Sequence, residues 1–285
     1  MKNIEKEEWT EVISAKNSWF DLRLSELWRY RDLVMLFVWR DFVSVYKQTI
    51  LGPLWHIIQP LFTTITFTIV FGNIAQISTN QTPPFLFYMA GITIWNYFAS
   101  CLTKTSNTFT ANAGIFGKVY FPRMTVPVSV VISNILALLI QLGLFALFYL
   151  YYFFFTESNL KISWWILAVP YFAFLMGLLG LGFGIIISSL TTKYRDLAYL
   201  IGFGVQLLMY ATPVIYPLSA LSPKYQFIIS LNPITPIVEG FKVAFFDKGI
   251  FDIWSLGYAT IFALVTFLIG LGMFHHVEKS FMDTV

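Results

Sequence analysis

Two short runs in this sequence invite a nucleotide-binding reading, and neither meets its requirements. GIFGKV at 114–119 places a lysine after a glycine, as a phosphate-cradling loop does. It lacks the four-residue gap between the glycines and the Ser or Thr after the lysine. GLLGLGFG at 177–184 has closely spaced glycines, yet no strand precedes it and no acidic residue follows about 20 positions on to hold a ribose. Gly180 and Gly184 read instead as a small-xxx-small face for close helix packing. No other stretch offers a phosphate cradle, so the chain is not expected to carry an ATPase of its own. Acid–base chemistry fares no better. Asp41, Asp196 and Glu239 are the acids near the ends of apolar runs, and they are scattered in sequence. An integral membrane transferase would need a cluster of such groups. Cys101 is the one cysteine and lies in an apolar run, which leaves no disulfide or thiolate metal site. His275 and His276 are adjacent, so on a helix they face apart and make a poor metal pair. Asn80-Gln81-Thr82 satisfies the glycosylation sequon, a chance match outside a eukaryotic secretory pathway.

What the sequence does offer is uncharged polarity at helical spacing. Asn96, Ser100, Thr103 and Asn107 recur at i, i+4, i+7 and i+11, which puts them on one helix face. Tyr199, Phe203, Gln206 and Tyr210 repeat the same spacing as an aromatic stripe with one amide. Each stripe has two readings. One is glue between helices; the other is the lining of a wet path. Aromatic faces with amide neighbours suit sugar passage, because C–H groups pack on rings without fixed hydrogen bonds.

The elements that carry these faces are membrane spans. Hydrophobic residues form 57% of the chain and charged residues 12%, about half the share of a soluble domain. Mean hydropathy is +0.70. Apolar runs of spanning length fall at about 51–73, 85–106, 126–155, 164–190, 197–212 and 254–274, predicting an all-α integral membrane protein with six transmembrane helices. Residues 1–50 form a separate charged, amphipathic interface segment, with Trp19, Leu22, Leu27, Trp28, Leu33 and Leu36 interleaved with ion-pairing residues. It either lies in the membrane interface or packs on another subunit. Its opening, MKNIEKEEWTEV, has no apolar core and does not read as a cleavable signal peptide. Between spans five and six, over about 213–250, prolines interrupt apolar pieces too short to cross, as in re-entrant helices. Lys161, Lys224, Lys242 and Lys248 fall on one side, and the rest of the 18 Lys and Arg on the other, which places both termini in the cytoplasm. Membrane topology accounts for the basic pI, and no nucleic-acid partner is inferred.

The particular residues add a resemblance. Arg40-Asp41, Tyr46-Lys47-Gln48-Thr49, Leu51-Gly52-Pro53-Leu54-Trp55 and Gln59-Pro60 resemble the entry to the first span of ABC-2 type permeases. The closest branch exports lipid-linked polysaccharides and polyol phosphates. Lys118, Phe121-Pro122-Arg123 and Pro127, then TPVIYP and LNPITPIVEGFK, and finally Glu278, Phe281 and Asp283 continue the likeness through the chain. Lys242 stands where an arginine is more usual, keeping the charge but losing a planar fork. The resemblance implies a homodimer in the bacterial inner membrane flanked by two copies of a separate ATPase subunit, which would hold ATP and Mg. It implies that the loop at about 107–123 is the coupling segment, with Ala111, Gly114, Ile115, Phe116, Gly117, Lys118 and Arg123 at the ATPase. Arg40, Asp41 and Lys47 would belong to the interface helix, and Pro213, Tyr216, Pro233, Pro236 and Glu239 to an outer gate. The cargo implied is a lipid-linked glycan, O-antigen first, with capsule, teichoic acid or a small molecule as alternatives. The two stripes would then line the glycan path.

Overall fold

A computed structural model describes residues 24–47, 51–156, 160–194 and 196–284. The amphipathic reading of residues before 24, and the resemblance at Gln48 and Thr49, lie outside the described residues.

The described chain is helical. Helix α1 (Leu24–Arg29) and α2 (Arg31–Lys47) cover the described part of the segment expected at the interface. A 3-10 turn, Gly52–Leu54, leads into α3 (Trp55–Phe67), which widens into a π-helical end over Thr68–Ile74. Pro60 sits inside α3, where its ring removes one backbone donor. Thr63 and Thr64 turn their hydroxyls back onto the carbonyls of Gln59 and Pro60, at 2.9 and 2.7 Å. Then follow α4 (Pro84–Thr105), α5 (Thr108–Phe116), α6 (Thr125–Phe155) and α7 (Val169–Thr191). Prolines open α4 and α7, in the first turn, where a missing N–H costs nothing. After α8 (Leu197–Tyr210) come α9 (Pro223–Ser230), α10 (Ile234–Phe246) and α11 (Ile253–Thr284).

Five helical stretches are long and apolar enough to cross a membrane: Gly52–Ile74, Pro84–Thr105, Thr125–Phe155, Trp164–Thr191 and Ile253–Glu278. The protein is an all-α, multi-pass membrane protein. The fifth expected span departs from expectation. Only 14 residues, Leu197–Tyr210, are helical there, about 21 Å against a core of about 30 Å. Thr212-Pro213 ends the helix early. The α9 and α10 helices meet at 107°, so the proline-punctuated region folds back on itself.

Helix α4 is the hub. Its side chains are buried almost continuously from Leu86 to Trp95, and it packs on α3, α6, α7 and α10. Its closest neighbour contact is with α7, through the glycines. A methyl placed on Gly180 would come within 2.6 Å of the Cys101 β-carbon, and one on Gly184 would overlap Thr105. The Thr105 hydroxyl donates to the Cys101 carbonyl at 2.6 Å. The glycine run is therefore a packing face, as its spacing suggests.

Candidate functional site

The Asn96–Thr103 stripe faces a cavity of about 400 Å³ between the first three spans. Helix α4 contributes Asn96, Ser100, Thr103 and Lys104, α3 contributes His56 and Gln59, and α6 contributes Asn134 and Gln141. The Asn96 amide donates to Gln141 Oε1 at 3.3 Å. Lys104 Nζ donates to Asn134 Oδ1 at 2.9 Å, and the Asn134 amide is held in turn by the Val130 carbonyl at 3.0 Å. The lining holds hydroxyls, amides, an imidazole and one ammonium, and no carboxylate. Such a surface can hydrogen-bond a neutral polar solute.

A second, largely apolar groove of about 490 Å³ runs between α2 and α6. Val38, Trp39 and Phe42 face Ile132, Leu136 and Ala137 across it. His56, Lys104, Asn134 and Ala137 line both spaces, so groove and cavity meet at these side chains. Lys104, His56, Asn134 and Gln141 do not stand out in the sequence. Asn134 and Gln141 are seven residues apart, two helical turns, in an otherwise apolar span; that spacing was the available signal.

The aromatic stripe does not join this site. Tyr199 is 87% exposed, and Phe203, Gln206 and Tyr210 share its open side of α8. The opposite side of α8, through Ile201, Val205 and Leu208, borders Leu102, Phe183 and Ile187. Within one chain the two expected halves of the glycan path therefore point to different places.

The segment expected to couple to an ATPase splits in two. Ala111, Gly114, Ile115, Gly117 and Lys118 are exposed on and after α5. Phe116 is not: it is buried, stacking edge-on with Phe109 and tilted against Phe121 in a cluster that includes Phe37 and Phe274. Its ring packs within the protomer, and such burial helps fix so short a helix. Arg123 also turns inward, donating to the Glu278 carbonyl at 2.6 Å with its guanidinium 5.5 Å from the Phe116 ring centre. Burial lowers the Arg123 pKa from its usual value, and the Glu278 carboxylate opposes that shift. Arg40 pairs with Asp41 at 2.8 Å and lies over Phe37, while Lys47 is exposed at the end of α2.

The residues expected at an outer gate pack closely around α10. Pro213, Pro233, Pro236 and Glu239 are buried. Tyr216 is half-buried and donates to the Tyr210 carbonyl at 3.1 Å. Glu239 accepts from the Leu218 N–H at 3.2 Å. Lys242, assigned to the outer loops by charge counting, is 2% exposed. Its ammonium donates to the Pro213 and Val214 carbonyls and sits 3.7 Å from the Phe87 ring centre. An ammonium suits this nest, because it needs separate acceptors rather than a planar partner. Asn232 prepares the bend, accepting from the Ile234 N–H at 3.1 Å and donating to Thr212 at 2.9 Å.

The fold is thus a multi-pass helical bundle with a polar, carboxylate-free cavity between its first three spans. The sequence pattern of the ABC-2 type transporter family matches residues 32–246, and the chain belongs to that family. It is similar to the O-antigen export system permease protein RfbA of Klebsiella pneumoniae, 28% identical over 254 residues, covering 88% of this chain and 94% of that protein. The RfbA protein of Myxococcus xanthus is 22% identical over 91% of this chain and 98% of its own length. The polysialic acid transport protein KpsM of Escherichia coli is 23% identical over 86% of this chain and 93% of its own.

Proposed function

We propose that this chain is the membrane permease subunit of an ABC exporter that moves a lipid-linked polysaccharide, O-antigen in the first place, across the bacterial inner membrane. The observation that carries this reading is the near-full-length similarity to permeases named for O-antigen export. The polar cavity of Asn96, Ser100, Thr103 and Gln141 supports it, since its amides and hydroxyls match a hydroxyl-rich cargo. A second reading, capsule export, is favoured by the similarity to a polysialic acid transport protein.

In this reading the chain pairs with a second copy and with two ATPase subunits, which hold ATP and Mg. Ala111, Gly114, Ile115, Gly117 and Lys118 present the coupling surface. Phe116 and Arg123 tie that surface to α11, and Arg40 with Phe37 ties in the interface helix. Six passes, counting α8 as one, keep both termini cytoplasmic. The α9–α10 bend, at 107°, is a re-entrant outer plug whose rigidity comes from Glu239 and Lys242.

Deleting the gene should remove long-chain glycan from the cell surface while precursor accumulates inside. Restoration by this chain only together with its ATPase supports the assignment. Unchanged surface glycan in the deletion strain overturns it.

A further inference from the structure

Apart from the bundle cavity, the chain has a polar pocket of about 540 Å³ built from three connections. These are the loop before α4, the 3-10 turn Leu218–Ala220 and the loop after α10. Ser78, Asn80, Gln81, Ser219, Lys248 and Gly249 line it, so every side chain on its wall is polar and none is a carboxylate. Two hydrogen bonds tie the connections together. The Ser219 hydroxyl donates to Asn80 Oδ1 at 2.9 Å, and Lys248 Nζ donates to the Gln81 carbonyl at 3.0 Å.

The backbone of this pocket is strained. Asn80 and Gln81 have φ of 53° and 57°, and the Thr82 N–H donates to the Thr79 carbonyl at 3.0 Å. That is a turn with two left-handed central residues, in which glycine usually fills the second place. Across the pocket Asp247 has φ of 53° and Gly249 of 138°. Gln76, Asn80, Gln81 and Asp247 are the non-glycine residues with positive φ among the described residues, and all lie in these two loops. Glutamine lacks the short polar group that eases asparagine into this conformation. Such strain persists only where the surroundings fix it, and it collects at ligand clamps and switches. The buried Thr79 hydroxyl, donating to the Thr82 carbonyl at 2.6 Å, fixes it here together with the two ties. By bearing glutamine instead of glycine, the turn keeps a second amide on the pocket wall.

The chemistry of that wall is specific. Each amide offers donors and an acceptor at fixed spacing, which suits adjacent hydroxyls. Lys248 has three donors and uses one on Gln81. Among the described residues no carboxylate lies within ion-pair distance of it. Glu239, the acid behind Gly249, is buried and accepts from the Leu218 N–H at 3.2 Å. Paired amides beside a cation with open donors fit a sugar ring that carries an acid group.

We infer that the Asn80-Gln81 turn and Lys248 form a binding site for a saccharide unit bearing a carboxylate, with the amides on ring hydroxyls and the ammonium on the acid group. This rests on the export reading for the source of the sugar: there the α9–α10 region faces outward, and the site meets the glycan as it leaves.

The test uses the full permease–ATPase complex in nanodiscs and two photoreactive probes, trigalacturonic acid and its neutral methyl ester. The acid should label peptides covering 76–82 and 247–250 about threefold to fivefold more strongly than the ester, the scale of one exposed charge contact. Lys248→Gln should bring the acid down to the level of the ester. Gln81→Gly should weaken labelling by both probes about threefold, the scale of one hydrogen bond. Its unfolding midpoint should be unchanged or higher, because glycine adopts this turn without strain. That variant guards against a Lys248→Gln chain that folds poorly. Equal labelling by acid and ester, or full labelling of Gln81→Gly, overturns the inference. So does inorganic phosphate that competes as well as the unlabelled trisaccharide, which would mark a plain anion site. Failure here with a glycan-deficient deletion strain sinks this site alone. Labelling as expected with unchanged surface glycan sinks the export reading alone.

Discussion

Two lysines at opposite ends of α4 show how differently one residue type is used in this membrane protein. Lys242 reaches Phe87 in the first turn of α4, and Lys104 stands in its last turn, about 26 Å away along the axis. Lys242 is enclosed: two backbone carbonyls accept from it and an aromatic ring covers it. Glu239 lies one helical turn away on α10, itself buried and accepting from the Leu218 N–H. Lys104 has one neutral amide and opens onto two cavities. A charge inside a bilayer is costly unless it is compensated. Its two carbonyl acceptors and the ring over it make Lys242 a structural tie. Lys104, held by one amide oxygen, keeps donors facing the two spaces it lines.

The largest effect that would break this contrast is at Lys242. Replacing it with alanine leaves the buried Pro213 and Val214 carbonyls without their donor, a loss of about 1–3 kcal/mol for each. Folded protein recovered in mild detergent should fall sharply, and the thermal unfolding midpoint with it. A stable Lys242→Ala variant would show that the re-entrant bend does not depend on this tie. Phe116→Ala comes next, at about 3 kcal/mol for emptying a buried ring site. Because the loss lies in the anchor under α5, uncoupling from the ATPase should accompany it. A cysteine at the exposed Ile115 should crosslink the ATPase subunit, whereas one at Phe116 should react poorly. Equal reaction at both positions would mean that α5 does not sit as described. Lys104→Gln should be milder for the fold, within about 1 kcal/mol, since one hydrogen bond to a neutral amide is lost. Export should nevertheless drop. A variant as unstable as Lys242→Ala would erase the distinction between the two lysines.

The difference between these sites also explains what the sequence reveals. Helix boundaries such as Pro84 and Thr125 were legible because apolar length and proline position are local properties. The polar face of α4 and the glycine face of α7 were legible from helical periodicity. Convergence was not. The cavity takes His56, Lys104, Asn134 and Gln141 from three helices, and no spacing within one helix reports which faces meet. Phe116 shows the same limit at smaller scale. Its neighbours Ile115 and Gly117 are exposed, and only the partners Phe109, Phe121 and Phe274 decide that its ring turns in. Lys242 read as a loop lysine in place of an arginine, because its carbonyl partners come from the turn after α8, nearly thirty positions earlier.

The smallest effect on the single chain should come from the α8 stripe, and for that reason it sharpens the comparison most. Phe203 and Tyr210 are 62% and 47% exposed, and the tyrosine hydroxyl of Tyr216 bonds the Tyr210 backbone rather than its side chain. Phe203→Ala and Tyr210→Ala therefore remove little packing within the protomer and should leave its unfolding midpoint nearly unchanged. Two roles remain for an exposed aromatic face with one amide. If it lines a path, each ring offers a moderate, weakly directional contact along which a polymer can slide, whereas fixed charges would hold it or be costly to place there. Substitution should then lower export or alter exported chain length, while the complex keeps its assembly and ATP turnover. If the stripe is glue between two copies, polar contacts there are worth about 0.6 kcal/mol each and the rings supply the rest. Substitution should then reduce the dimer fraction by size-exclusion before any change in glycan length appears. Normal export from both variants at matched expression would remove the stripe from the path and leave the Asn96–Gln141 cavity as the sole polar face between the spans proposed to meet the glycan.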